Sequence, residues 1–201
     1  MNLMADLPPA IETRLQRLPQ GLRDHIERAR STGRELAGRH GIDVEKCDLA
    51  TACHDLARAL PGEDLIAEAK RYGRRIHPVE RNAPVLLHGA VAAAWLEHED
   101  GLEDVDVLQA VRWHTTGRKA MGQVAKVAFL ADKLDPVKVS QFPFLERVRE
   151  LAYSDLDRAM LEYLNREIAY LLGMRYLIHP AYLGLRNELM IAFEADTGTG
   201  S

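Results

Sequence analysis

Apolar residues recur along this chain at the three- and four-residue spacing of helices, and no segment alternates as a convincing strand. The pattern predicts a first helix over Leu22–His40, ended by Gly41 just beyond it. A second is expected over Val44–Leu60, stopped by the Pro61-Gly62 turn, and a short third over Leu65–Tyr72. Residues Gly73–Pro84, which include two prolines, read as an ordered loop. Further helices follow over Val85–His98, Val105–His114 and Gln123–Leu134, the last ended by Asp135-Pro136. Leu145 to about Leu172 reads as one or two amphipathic helices, and a last helix runs from Pro180 to about Phe193. The expected class is all-α, a helical bundle with amphipathic carboxyl-terminal helices packed on it. Residues 1–20 read as an amino-terminal extension, 21–193 as one domain, and 194–201 as a flexible tail.

Composition narrows the functional classes. A chain of 201 residues buries roughly 70% of its unfolded surface, enough for a core without disulfide support. Its 47% apolar and 28% charged residues are a globular profile, not a disordered one. Net charge is −4 with no basic block, which argues against duplex nucleic acid as a partner. The start, MNLMADLPPA, lacks the basic and apolar segments of a signal peptide. The most apolar stretch, Ala83–Leu96, is too short to span a bilayer and contains His88, so no membrane partner is expected. The two cysteines, Cys47 and Cys53, form neither a disulfide framework nor a metal-ribbon spacing, and fit small apolar fillers in a reducing cytoplasm.

Chemistry enters with the second helix. In KCDLATACHDLARAL, Leu49, Ala52, Cys53, Leu56 and Leu60 form an apolar stripe. On an ideal helix His54 and Asp55 stand about 100° apart on the other side, with Arg58 between them. A metal with a bound phosphate would use all three, although an isolated His-Asp pair is usually an ordinary ion pair on a solvated face. Three more histidines change the balance. His25 lies in RDHIERARSTGRELA, His88 opens LLHGAVAAAWL, and His114 follows Val107, Leu108 and Val111 on one apolar face. Each alone is more often a satisfied core or surface histidine than a ligand. Asp132, in VAKVAFLADKLDP, flanks a stripe of Val124, Val127, Ala128 and Ala131, where a buried carboxylate needs a cation or several donors. Four imidazoles and two carboxylates suit iron, manganese, cobalt or zinc better than magnesium or calcium. Six ligands exceed what one hydrolytic metal with an open position uses, and suit two metals sharing a carboxylate.

This order of His25, His54-Asp55, His88, His114 and Asp132 resembles the HD-domain superfamily of phosphohydrolases in its two-metal form. The segments VLLHG, RWHTTG, FLADKLDP, LAYSDLDRAMLEYL and LIHPAYLGLRNEL further resemble the YqeK family, over about Leu22–Leu189. HTTG, and IHP followed by RN, are fairly specific signals, whereas a bare HD pair is weak. Members of that family split diadenosine tetraphosphate symmetrically into two ADP molecules at a di-iron centre. The resemblance implies one metal on His25, His54, Asp55 and Asp132, and a second on His88 and His114, with Asp55 bridging. It implies His54, Asp55 and Arg58 as the catalytic group, Arg58 neutralising phosphate oxygens. His88, Thr115, Thr116, Gly117 and Lys138 would contact a dinucleoside polyphosphate, and Arg186 with Asn187 would close over the nucleotide. Two departures stand out: the family usually has lysine at the position of Arg58, and a segment like EPxR where this chain has Asp135-Pro136-Val137-Lys138. An arginine grips phosphate as a fork and not as a point charge.

The other histidines read differently. His40 and His98 fit helix-dipole contacts. His77 lies beside Arg71, Arg74, Arg75 and Arg81, a cluster equally consistent with a polyphosphate grip and with a solvated loop. His179 in IHP resembles a family position behind the nucleotide. Three other functions remain open at this point: an HD phosphohydrolase for another nucleotide, a mixed-valent di-iron oxygenase, and a non-catalytic nucleotide sensor. The sensor would be expected to lack a ligand, and none is missing. The pattern does not fix the oligomeric state.

Overall fold

Aspartates start several of the helices. The side chains of Asp43, Asp104, Asp135 and Asp155 each accept a backbone N–H in the first turn that follows, capping α3 (Val44–Cys53), α7 (Val105–Trp113), α9 (Pro136–Gln141) and α11 (Leu156–Gly173). Gly41 ends α2 (Gln20–His40) with φ 64°, a left-handed turn that glycine takes without strain. The remaining elements are α1 (Pro9–Gln16), α4 (Gly62–Arg71), α5 (Pro78–Asn82), a 3₁₀ turn (Pro84–Leu87), α6 (His88–His98), α8 (Gln123–Lys133), α10 (Phe144–Ala152) and α12 (Pro180–Gly198). This computed structural model describes residues 7–198, and every regular element among them is helical.

The core forms where α2, α3, α7 and α8 meet, with α6 packed on α7. Small residues let these helices approach closely. A Cβ on Gly33 of α2 would stand 2.9 Å from the Thr51 side chain on α3, and one on Gly89 of α6 would stand 2.7 Å from the Val111 carbonyl on α7. The central helix α8 buries Val124, Val127, Phe129 and Leu130 and touches α2, α3, α7 and α11. The pairs α10–α11 and α11–α12 lie against this bundle through α8. In the amino-terminal extension, α1 is not loose: Ile11 is buried, and Arg14 pairs with Asp100 at 2.8 Å and Glu99 at 2.7 Å. Among the described residues no helix is long and apolar enough to cross a membrane.

The structure departs from the periodicity in several places, and it adds two helices the pattern does not predict, α1 and α9. The helix expected over Val44–Leu60 stops at Cys53, and i→i+3 bonds such as Arg58 N–H to the Asp55 carbonyl carry the chain through a tighter turn. Residues 73–84 are not a plain loop. His77 and Glu80 form a reciprocal capping box that nucleates α5. The helix expected from Val85 opens as the 3₁₀ turn and becomes α-helical only at His88. Finally, α12 continues to Gly198, past Phe193, since no proline or left-handed residue interrupts it; residues 194–198, expected as tail, are helical. Residues 1–6 and 199–201, at the two ends of the chain, lie outside the described residues.

Candidate metal centre and cleft

The six expected ligands converge. His25, His54, Asp55, His88, His114 and Asp132 are all buried, brought together from α2, α8 and the ends of three other helical segments. His54, His88 and His114 each follow directly on a helical run: α3, the 3₁₀ turn and α7. A helix end leaves carbonyls short of donors, although that of Val85 also accepts the His88 backbone N–H. Each imidazole supplies one, donating Nδ1–H to the carbonyl three residues earlier: Thr51 at 2.6 Å, Val85 at 2.5 Å and Val111 at 2.8 Å. His25 is held by a carboxylate instead, with Nδ1 2.6 Å from Asp135 Oδ2. A hydrogen bond of this kind fixes the tautomer and leaves Nε2 as a lone pair.

All four Nε2 atoms therefore point inward. Those of His88 and His114 lie 2.9 Å apart, and those of His25 and His54 lie 3.3 Å apart. Two lone pairs at such distances repel unless a positive ion stands among them. Asp55 lies between the pairs and divides its oxygens: Oδ1 is 2.9 Å from His88 Nε2 and 3.6 Å from His114 Nε2, while Oδ2 is 3.5 Å from His54 and 3.7 Å from His25. Asp132 Oδ1 adds a contact of 3.1 Å to His25. The ligand atoms of His25, His54 and Asp55, and separately of Asp55, His88 and His114, are close enough to hold a metal ion.

The electrostatics agree. Burial pushes His114 down to about 3, which keeps its Nε2 lone pair available. At Asp55 burial is outweighed by His54, His114 and His88, so the carboxyl falls well below its usual range. At Asp132 burial is outweighed by Lys133 and Lys138, with the same result. Burial would also lower His54, yet Asp55 beside it wins and the net shift is upward. The cluster favours positive charge at its centre, as a cation site does.

Three supporting residues escaped the sequence reading. Asp135 orients His25, accepts from Arg28 at 2.7 Å and caps α9. Lys133 bridges Asp132 at 2.7 Å and the His114 carbonyl at 2.7 Å. Tyr182 of α12 donates to the Thr115 carbonyl at 3.0 Å. Asp135 and Lys133 sit in DKLDP beside a proposed ligand, a signal that was available; nothing in the pattern pointed to Tyr182.

The centre opens into a cleft of about 780 Å³. Asp55, His88, Thr115 and Asp132 line its inner end, and Arg58, Lys133, Lys138 and Arg166 bring cations to it. Phe142, Phe144, Tyr163 and Tyr170 form an aromatic wall from α9–α11. The expected residues distribute unevenly here. The Arg58 guanidinium is exposed and makes no hydrogen bond or ion pair among the described residues; it lines the cleft with Asp55, while His54 does not line it. Thr115 Oγ1 is 3.0 Å from His114 Nε2. Thr116 is buried and bonds the Gly117 carbonyl at 3.0 Å, while Gly117 has φ 60° and packs under Leu185; neither lines the cleft. Lys138 lines it with its ammonium on Asp132 Oδ1 at 2.6 Å. Arg186 bonds Asn165 at 2.9 Å and Asn187 at 3.2 Å, and neither Arg186 nor Asn187 lines the cleft; α12 reaches it through Tyr182. The Arg71, Arg74, Arg75 and Arg81 group also stands apart, with Arg74 paired to Glu80 at 2.6 Å. His179 accepts from the Ala181 N–H at the start of α12. His40 bonds the Ala152 carbonyl at 2.7 Å, and His98 stacks on Tyr72.

A helical bundle whose histidines and aspartates meet in this order defines an HD-domain hydrolase with clusters able to bind metal, and the HD domain family model matches residues 22–137. The symmetrical bis(5'-nucleosyl)-tetraphosphatase of Bacillus subtilis (strain 168) is 33% identical over 78% of this chain and 82% of its own length. That of Halalkalibacterium halodurans is 35% identical over 80% of this chain and 84% of its own. A crystal structure of a predicted HD superfamily hydrolase involved in NAD metabolism, from Clostridium acetobutylicum, superposes with a TM-score of 0.86 at 29% identity, covering 91% of this chain and 96% of that one. The chain belongs to the YqeK-like family of symmetrical bis(5'-nucleosyl)-tetraphosphatases.

Proposed function

We propose that this protein hydrolyses dinucleoside tetraphosphates at their middle bridge, so that diadenosine tetraphosphate yields ADP alone. The observation that carries this reading is the division of Asp55, one oxygen toward His88 and His114 and the other toward His25 and His54. That division suits two ions, one on His25, His54, Asp55 and Asp132 and the other on Asp55, His88 and His114. The donor set, mostly imidazole, favours iron, with manganese, cobalt or zinc as substitutes. Two such ions, when bound, would supply a nucleophile from water at neutral pH and offset charge on the attacked phosphoryl group.

The chain's own residues do the rest. Asp135 and the three helix-end carbonyls keep each ligand lone pair aimed at the centre. Lys133 and Lys138 hold Asp132 and add positive charge at the mouth. Arg58, unpaired and exposed in the cleft, is free to take phosphate oxygens in a bidentate grip. Thr115 offers a hydroxyl beside His114. The names of the two bacterial relatives support the substrate and the symmetry of the cut. Both free cysteines are buried, which fits a reducing cytoplasm.

The test is turnover of a panel of dinucleoside polyphosphates with and without oxygen, with metal content measured on the same sample. The expected result is ADP as sole product from diadenosine tetraphosphate, no need for oxygen, and about two transition-metal ions per chain. AMP plus ATP would put the cut one phosphate away. Hydrolysis of mononucleotides alone would end the proposed substrate, and a single tetrahedral zinc would end the dinuclear reading.

A further inference from the structure

One acid in the cleft has no role in the chemistry above. Glu167 lines the cleft on α11, yet among the described residues its carboxylate accepts no hydrogen bond and forms no ion pair. It shares one helix face with Tyr163, Arg166 and Tyr170, spaced as i, i+3, i+4 and i+7. Arg166 is drawn away to Glu162 at 2.9 Å, leaving Glu167 flanked by rings. Burial pushes its carboxyl up, and Lys133 offsets this only in part. Nearby in the same cleft, Phe142 is 51% exposed and Tyr170 is 55% exposed, so two large aromatic faces stand open to whatever the cleft holds.

Open rings and an unused acceptor in one cleft are what a nucleobase requires. Bases stack on aromatic faces whatever their identity, whereas hydrogen bonds at the edge distinguish them. We propose that Glu167 is a specificity-determining residue, accepting a hydrogen bond from the amino group of a nucleobase seated against Phe142 and Tyr170. The proposal rests on the nucleotide reading of the cleft given above. An ionised carboxylate can only accept. It therefore pairs with the amino group of adenine, whereas hypoxanthine turns a repelling keto oxygen to the same position and keeps only its neighbouring ring N–H as a donor. In its protonated form the carboxyl adds a donor for the ring nitrogen beside that amino group, which again suits adenine.

Calorimetry with ADP and inosine diphosphate, on the protein as purified, tests this without turnover. The wild type should bind ADP roughly 5- to 100-fold more tightly, the range expected for one well-placed hydrogen bond against an unpaired acceptor. Glu167→Gln, whose amide can turn its NH₂ toward a keto oxygen, should bring the ratio close to one. Glu167→Ala should do the same by weakening ADP and leaving inosine diphosphate little changed, while unchanged thermal melting shows that either variant folds. The kcat/KM ratio for the adenine and hypoxanthine tetraphosphates should follow the binding ratio. A wild type without preference, or a preference that survives both substitutions, overturns the proposal. If neither tetraphosphate is hydrolysed but Glu167 still sets the ADP preference, the reaction assignment falls and this inference stands.

Discussion

The two walls of the cleft are built on opposite principles. The inner wall, from α2, α3, α6, α7 and α8, is buried and cross-tied: every ligand histidine is fixed through Nδ1, and Asp132 is held by two lysines. The outer wall, from α9, α10 and α11, presents half-exposed rings, an unpartnered glutamate and an arginine bound only to its own helix. Ligand atoms must sit within a few tenths of an ångström of their working positions, and burial with hydrogen bonds provides that. A substrate must enter and leave, so the surface that recognises it stays open and incompletely satisfied. Under the proposed function, reactivity and selectivity are thus assigned to different walls, and substitutions on each should fail in different ways.

The inner wall should break hardest at Asp55. Asp55→Ala should lower turnover by at least about 1000-fold, roughly 4 kcal/mol in the barrier, and lower metal content at both halves of the centre. Asp55→Asn, of nearly the same shape, serves as the folding control. Wild-type turnover with full metal in the alanine variant would show that Asp55 does not bridge.

Arg58 probes the boundary between the walls. It is exposed and unpaired, so Arg58→Ala should leave the melting temperature unchanged while costing about 1.5–3 kcal/mol of substrate or transition-state binding. Restoration by Arg58→Lys would mean that charge alone suffices. Failure to restore would mean that the forked grip matters.

Asp135 sharpens the comparison, because it touches a ligand and not the ion. Asp135→Asn keeps an acceptor for the α9 cap but loses the charge facing His25 and Arg28. Metal affinity or activity should drop by about 10- to 100-fold, as is typical when a ligand loses its orienting partner. Metal titration of variant and wild type decides it, and equal affinities would reduce Asp135 to a helix cap.

The smallest effect is expected at the cysteines, inside the core that carries the inner wall. Burial pushes the Cys47 thiol up to about 12 and Cys53 higher still. Neither should react with a thiol reagent at mildly alkaline pH in the folded protein, and both should react in denaturant. Rapid labelling of the native protein would mean that this core opens readily.

What the sequence determined by itself was the helical class, the approximate place of most helices and the identity of six residues able to meet at a centre. Periodicity reports which side of a helix is buried, and histidines and aspartates on buried sides are conspicuous there. Its weak points were ends and partners. His54 was read as the middle of a helix, whereas it sits at the end of one, and that end supplies the Thr51 carbonyl that fixes its ring. The pairing of His25 with Asp135 spans 110 residues and leaves no local trace. Arg186 and Asn187 stood in the expected helix, but only the packing of α12 on α11 showed that Tyr182, and not they, faces the cleft. Local spacing fixes the period of a helix. Which ring nitrogen is left with a lone pair, and which side chain reaches a shared cavity, depends on where helices stop and what crosses them, and those are properties of the folded chain alone.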